Sequence, residues 1–186
     1  MHNEKANARK CVMGVDPGKT GGFGIFDMAS GDLVSAGPLV FGDAKKLYDK
    51  IVQYDVREVL FERAQAARGD AGQFEYGRSF GQSEGAAMAG GAKLYYCAPQ
   101  WWKARLNVST DKARSYAKAV SRWPELEWLA PPGPKGGLQD VHGIAEACLI
   151  GSILVSEKLF AELVKNNDAR IKKSTRRKPR FDWKGD

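Results

Sequence analysis

The sequence predicts an α/β fold on a mixed five-stranded sheet, a three-strand antiparallel meander plus two parallel strands, flanked by helices. Three observations carry this expectation. Short apolar runs at 11–15, 22–27 and 33–40 follow one another with only tight turns between them, which is the pattern of a meander. Two later apolar runs, 56–62 and 94–97, each follow a segment with helical spacing, as strand-helix-strand crossovers require. Beyond residue 110 two stretches, one through Arg122 and one from His142 to Val164, have helical apolar spacing.

The elements can be justified in order. Cys11-Val12-Met13-Gly14-Val15 is a strand that ends on Asp16 and runs into the turn Pro17-Gly18-Lys19-Thr20-Gly21. Gly22 to Asp27 is the second strand, and Ala29-Ser30-Gly31-Asp32 turns the chain into the third, Leu33 to Val40. From Ala44 to Gln53, Leu47 and Ile51 recur at helical spacing, continued by Tyr54, with Lys45, Lys46 and Lys50 between them, an amphipathic helix. Val56 to Glu62 is a fourth strand that also ends on a carboxylate, and a polar loop follows from Arg63 to Gly72. Phe74 to Ala89 reads as a helix whose Gly77, Gly81 and Gly85 make one smooth face, suited to close packing on the sheet. Leu94 to Cys97 is the fifth strand. Thr110 or Asp111 caps a helix that runs through Arg122, Pro131 to Gly137 is a loop, and a last helix runs from His142 to Val164. This order is similar to the ribonuclease H-like arrangement.

Composition narrows the function. With 186 residues, 43% hydrophobic and 10% aromatic, the chain suits one globular domain with a sizeable core. No apolar run reaches membrane-span length, and the polar start Met1-His2-Asn3-Glu4-Lys5 is not expected to be a secretory signal. Cys11, Cys97 and Cys148 sit in apolar segments without metal-type spacing and read as core thiols of a reducing compartment, the cytoplasm. The net charge of +7 is concentrated at the ends. Residues 165–186 hold nine Lys/Arg against three Asp, and residues 1–10 hold three Lys/Arg against Glu4. The expected organisation is therefore a basic arm (1–10), a nearly neutral domain (11–164) and a basic tail (165–186). A solvated tail and a polyanion-binding tail are both open on charge alone. Arg176, Arg177, Lys178 and Arg180, with Phe181 and Trp183 beside them, favour nucleic acid.

Gly18-Lys19-Thr20 invites a P-loop reading, which the spacing refuses. A P-loop has four residues between its glycines. Only Val15, Asp16 and Pro17 separate Gly14 from Gly18, an acid would face phosphate, and proline removes an N–H. No nucleotide cofactor is expected. Asp16 instead reads as an acidic metal ligand followed by a turn. In the expected sheet the first and fourth strands are parallel neighbours, so Asp16 and Glu62 emerge at adjacent carboxyl ends, where open α/β sheets place their sites. Two close carboxylates repel unless a cation lies between them. Glu146 is the third acid. On a helix it shares an apolar stripe with Leu149, Ile150 and Ile153, where a charge needs a partner. His142 lies four residues earlier on the same side. Asp140 either caps this helix or joins the site.

Several stretches together resemble the RuvC family of Holliday-junction resolvases, in particular the versions carried by bacteriophages. They are Gly14-Val15-Asp16-Pro17-Gly18, Phe61-Glu62, Gly77-Arg78-Ser79-Phe80-Gly81 with Glu84-Gly85, Ala98-Pro99-Gln100-Trp101-Trp102-Lys103, Asp111-Lys112-Ala113, and His142-Gly143-Ile144-Ala145-Glu146-Ala147. The resemblance spans most of 11–160. It implies a ribonuclease H-like fold, a homodimer, Mg²⁺ with Mn²⁺ able to substitute, and paired nicks across a four-way junction of double-stranded DNA. It would place the protein in a bacterial host's cytoplasm if phage-encoded. Asp16, Glu62 and Glu146 match the family's acidic ligand positions, and the fourth position is open between Asp140 and His142. Bacterial members carry an aromatic soon after the strand-4 glutamate, where this chain has Gln65.

The expected chemistry is phosphodiester hydrolysis with two ions per site, Asp16 bridging, Glu62 and Glu146 each holding one ion, and either His142 or Asp140 completing the shell or His142 acting as a base. Positive charge must hold the DNA outside this acidic centre. Arg63 and Arg68 follow Glu62 directly. Lys103, Arg105 and Lys112 lie near a basic stripe of Arg114, Lys118 and Arg122, with Arg176 and Arg177 in the tail. Trp101 and Trp102 read as core or dimer surface. The competing readings are a related nuclease on flaps or other branched DNA, an actin-like ATPase domain, and a DNA-binding module without catalysis.

Overall fold

A computed structural model describes residues 10–41, 43–63, 72–109, 112–129 and 139–175. Five strands form one sheet: β1 (Cys11–Asp16), β2 (Thr20–Asp27), β3 (Leu33–Val40), β4 (Val56–Glu62) and β5 (Lys93–Cys97). Their order is β3-β2-β1-β4-β5. β1–β2 and β2–β3 are antiparallel, whereas β1–β4 and β4–β5 are parallel. This is the mixed sheet expected from the sequence. α1 (Ala44–Gln53) links β3 to β4, and α2 (Gly72–Ala89) links β4 to β5. α3 (Pro99–Arg105), α4 (Lys112–Arg122), α5 (Leu126–Leu129), α6 (Gln139–Gly151) and α7 (Glu157–Thr175) follow β5.

Strand alternation sorts the side chains into two cores. Met13, Val15, Val59 and Phe61 point to one face, where Leu47 and Ile51 of α1 and Ala86 and Ala87 of α2 cover them. Val12, Phe26 and Leu60 point to the other, under Trp102 of α3, Ala119 of α4 and Ile144 to Ile150 of α6. Asp16 and Glu62 share the parity of Val12 and Leu60, so both carboxylates lie on the α6 side. α1 opens on Asp43, which accepts from Lys46 N at 3.0 Å, the side-chain cap its sequence suggests.

Glycine decides how close α6 comes. A Cβ on Gly14 would overlap backbone atoms of Ala147 and Gly151, and one on Gly22 would overlap Ile144 backbone. On the helix, a Cβ at Gly143 would overlap Thr20 O. Backbone therefore lies against backbone from both sides, and Gly21 even forms a bridge with Gly143. Gly22 is required by this approach, whereas a Cβ on Gly21 would overlap Asp16 O and the Gly18 backbone within the turn itself.

Two expectations are corrected. The last helix is not continuous from His142 to Val164. It tightens after Gly151, with Ile153 N bonding Ile150 O at 3.1 Å and Leu154 N bonding Gly151 O at 3.0 Å, and α7 starts afresh at Glu157. The apolar run masks the break because Ile153 and Leu154 stay buried through the turn. The glycines of α2 do not pack on the sheet: nothing lies within 4 Å of a Cβ built on Gly77, Gly81 or Gly85. The inner face of α2 is instead Ser79, Ser83, Ala86 and Ala87. α7 continues helical to Thr175, into the stretch read as a basic tail. Its Asn167 side chain pairs with both backbone groups of Tyr96 on the outer strand β5, which covers an edge that would otherwise invite pairing.

Candidate active site

The site lies at the carboxyl ends of β1 and β4. Val15 pairs with Phe61 across the parallel ladder, so Asp16 and Glu62 leave adjacent strands at the same level. Asp16 is oriented by the turn that follows it: Gly18 N donates to its Oδ1 at 3.1 Å, and Gly21 N closes the turn on Gly18 O at 3.0 Å. α2 pins both strand ends from the opposite face. Ser79 Oγ donates to Pro17 O at 2.7 Å, and Tyr76 OH donates to Glu62 O at 3.4 Å.

Glu62 is held from the α6 side. Its Oε2 accepts from the Trp102 indole at 2.7 Å. Burial first, then the charge of Asp16, pushes its carboxyl up to about 7, with Glu146 adding to the rise and Trp102 and Lys103 opposing it. Glu62 therefore senses the charge of both other acids. Glu146, 8% exposed, comes down from α6 toward the same end. Its Oε1 accepts from Lys103 Nζ at 2.8 Å and from Ser115 Oγ at 3.2 Å, which answers why an acid stands on an apolar stripe. His142, one turn earlier and half-buried, packs edge-on against the Tyr116 ring.

This donor set suits a hard, oxygen-seeking cation such as Mg²⁺ or Mn²⁺, and a cation would offset the burial and the repulsion from Asp16 that raise Glu62. Among the described residues, no three acidic, histidine or cysteine side chains converge into a preassembled cage. Each carboxylate is instead held by its own donor, Gly18 N for Asp16, Trp102 for Glu62, and Lys103 with Ser115 for Glu146. The side chain of Asp140 lies outside the described residues.

The basic residues divide. Lys103 is inside the site. Arg63 directly follows Glu62 and sits over the Tyr96 ring. Arg114 is exposed on α4, beside Ser115. Arg105 pairs with Glu162 of α7 at 3.2 Å and covers Trp101. Lys118 donates to the Leu106 carbonyl. Arg122 lies over Trp123 and near Ser152, just past the end of α6 and about 9 Å along its axis from the level of Glu146 at 1.5 Å per residue. The stripe from Arg114 to Arg122 thus leads away from the carboxylates. Arg68, Arg176, Arg177 and the Lys112 side chain lie outside the described residues. Trp102 is fully buried, consistent with core, but its hydrogen bond to Glu62 is a role the sequence does not signal. Ser115, inside Asp111-Lys112-Ala113-Arg114-Ser115, also goes unsignalled.

Comparison with solved structures agrees with the fold. The chain is similar to Thermus thermophilus RuvC in complex with a Holliday junction substrate, with a TM-score of 0.60 and 18% identity over 82% of this chain and 95% of that one. A second Thermus thermophilus RuvC structure gives 0.55 and 19% over 83% and 96%. The yeast mitochondrial Holliday junction resolvase Ydc2 gives 0.54 and 12% over 89% and 84%. No family model and no curated protein matches the sequence. The chain is RuvC-like in fold. Among the described residues, no helix is long and apolar enough to cross a membrane.

Proposed function

We propose that this protein is a metal-dependent endodeoxyribonuclease that resolves four-way DNA junctions by paired nicks. The observation that carries the reading is that Asp16 and Glu62 leave adjacent parallel strands at one end of a RuvC-like sheet, with Glu146 of α6 near enough for its charge to bear on Glu62. Fold alone does not assign chemistry. Three acids from two strands and a helix, each individually oriented, are costly to assemble unless they act together.

Asp16, Glu62 and Glu146 would hold Mg²⁺ or Mn²⁺, two ions per site, with His142 or Asp140 beside them. The bound ions would supply an activated water and neutralise charge at the scissile phosphate. The chain's own residues do the rest. Gly18 and Trp102 fix the directions of Asp16 and Glu62. Lys103 balances Glu146 beforehand and, once released, is a cation ready for a phosphate oxygen. Arg63 and Arg114 flank the site where a DNA backbone would pass, and the basic arm and tail extend that attraction.

Opposed nicks need two sites, and among the described residues the chain brings one such set of acids to the sheet end. A second copy is the partner that fits. The outer face of α2 suits it, because Gly77, Gly81 and Gly85 allow close approach between Phe74, 76% exposed, and Met88, 67% exposed.

The test is a synthetic four-way junction incubated with Mg²⁺ and wild-type protein or Asp16→Asn. Symmetric nicks from the wild type alone are expected. Equal cutting of linear duplex, or full activity in the variant, would overturn the reading.

A further inference from the structure

We propose that Trp102 is a positioning residue for the site: its indole N–H fixes Glu62 in the orientation that a divalent cation requires. The inference rests on the reading of Glu62 as a metal ligand and adds a residue to that machinery.

Trp102 is 0% exposed and lies in the core beneath α6. A buried indole has one donor and no acceptor, so it must find an oxygen. A backbone carbonyl would satisfy it. The oxygen it meets is Glu62 Oε2, at 2.7 Å, from a residue 40 positions away on another element. Phenylalanine would keep an aromatic ring in the apolar space at this position, though a smaller one, and would remove the N–H.

The neighbouring residue supports the same role. Lys103 donates to Glu146 Oε1 at 2.8 Å, so consecutive residues of α3 hold two of the three carboxylates. Successive helical side chains diverge by about 100°, which lets one short helix reach an acid on β4 and another on α6. The two donors differ in kind. Lys103 is a cation and competes with any cation for Glu146. The indole is neutral and takes one oxygen, so it stays bonded while the carboxylate binds metal. The helix itself is fixed, since Leu106 N and Val108 N bond Trp102 O and Lys103 O at 3.0 and 2.8 Å. Partners that orient metal-bound carboxylates are worth roughly 10- to 100-fold in metal affinity.

The experiment uses the full chain without DNA. Mn²⁺ binding is titrated by electron paramagnetic resonance for wild type, Trp102→Phe and Trp101→Phe. The indole N–H signals of the five tryptophans are followed by NMR as Mg²⁺ is added to wild type. Trp102→Phe is expected to weaken Mn²⁺ binding roughly 10- to 100-fold with an unchanged circular dichroism spectrum. Trp101→Phe binds as wild type does, and the Trp102 indole signal shifts saturably with Mg²⁺. A folded Trp102→Phe that binds Mn²⁺ like wild type overturns the proposal. So does a Trp102 signal that stays still as Mg²⁺ saturates, and that signal decides alone if the variant does not fold. If both readouts behave as expected while four-way junctions stay uncut, the positioning role stands and the nuclease reading falls.

Discussion

α6 and α2 both carry glycines, and the two helices use them in opposite ways. Gly143 and Gly151 of α6 let the helix press its backbone onto β1 and β2, where Gly14, Gly22 and Gly24 receive it. Gly77, Gly81 and Gly85 of α2 recur every fourth residue, a tidier pattern, yet they face open space. Close packing needs a small residue on both surfaces. β1 and β2 supply glycines to α6. The strand residues toward α2 are Met13, Val15, Val59 and Phe61, which call for small buried side chains such as Ala86 and Ala87 rather than for bare backbone. The consequence for function is direct. The helix that can approach most closely is the one that carries Glu146 to the carboxylates.

The largest effect expected from this contrast is at Gly14. Gly14→Val would suit a strand by propensity, but its side chain would overlap the backbone of Ala147 and Gly151. A loss of more than about 4 kcal/mol is expected, enough to unfold a marginal domain. Soluble yield and thermal unfolding monitored by circular dichroism would measure it. A well-folded Gly14→Val would mean that α6 does not sit on β1 at this distance, and Glu146 would leave the site with it.

A smaller effect comes from the charge buried beneath α6. The Glu62 carboxyl stands at about 7 in the folded chain, against 4.5 ordinarily, because burial and Asp16 disfavour its charge. The folded state therefore holds this proton more tightly than the unfolded state. Stability from this group is complete below about pH 4.5 and is lost as the pH rises through about 7, on the order of 3 kcal/mol in all. Without divalent metal, Tm should fall between pH 5 and pH 8, and Glu62→Gln should flatten that fall. Mg²⁺ should restore stability at pH 8, where the carboxylate is charged. An equal fall in Glu62→Gln would move the buried charge elsewhere.

The sequence makes some of this legible for physical reasons. Asp16 and Glu62 each end an apolar run, so strand length alone brings them to one level once the two strands are parallel neighbours. Glu146 is visible as a charge within an apolar stripe. Other features leave little trace. Whether a glycine stripe is buried depends on the surface it meets, which lies elsewhere in the chain. The break after Gly151 is hidden because Ile153 and Leu154 remain buried through it. Lys118 and Arg122 look like a phosphate-binding stripe because a lysine bonded to the Leu106 carbonyl and an arginine covering Trp123 have the same spacing as a free basic face. The bond from Trp102 to Glu62 is least visible of all, since a core tryptophan shows its size in sequence and not the direction of its N–H.

The smallest expected effect is the most discriminating for α2. Gly81→Ala should stabilise the isolated chain by up to about 1 kcal/mol, because alanine favours a helix and meets nothing within 4 Å. If the glycines served packing within the chain, the same change would lower Tm. If a second copy covers this face, the added methyl group enters the contact, and the gain should shrink as protein concentration rises, because association stabilises the wild type by mass action. Tm measured over a range of concentrations, alongside sedimentation of wild type and Gly81→Ala, separates these cases. A gain that holds at every concentration would remove α2 as the dimer surface. The carboxylates across the sheet would be untouched, because Ser79 and Tyr76 on the inner face of α2, not its glycines, bond the ends of β1 and β4.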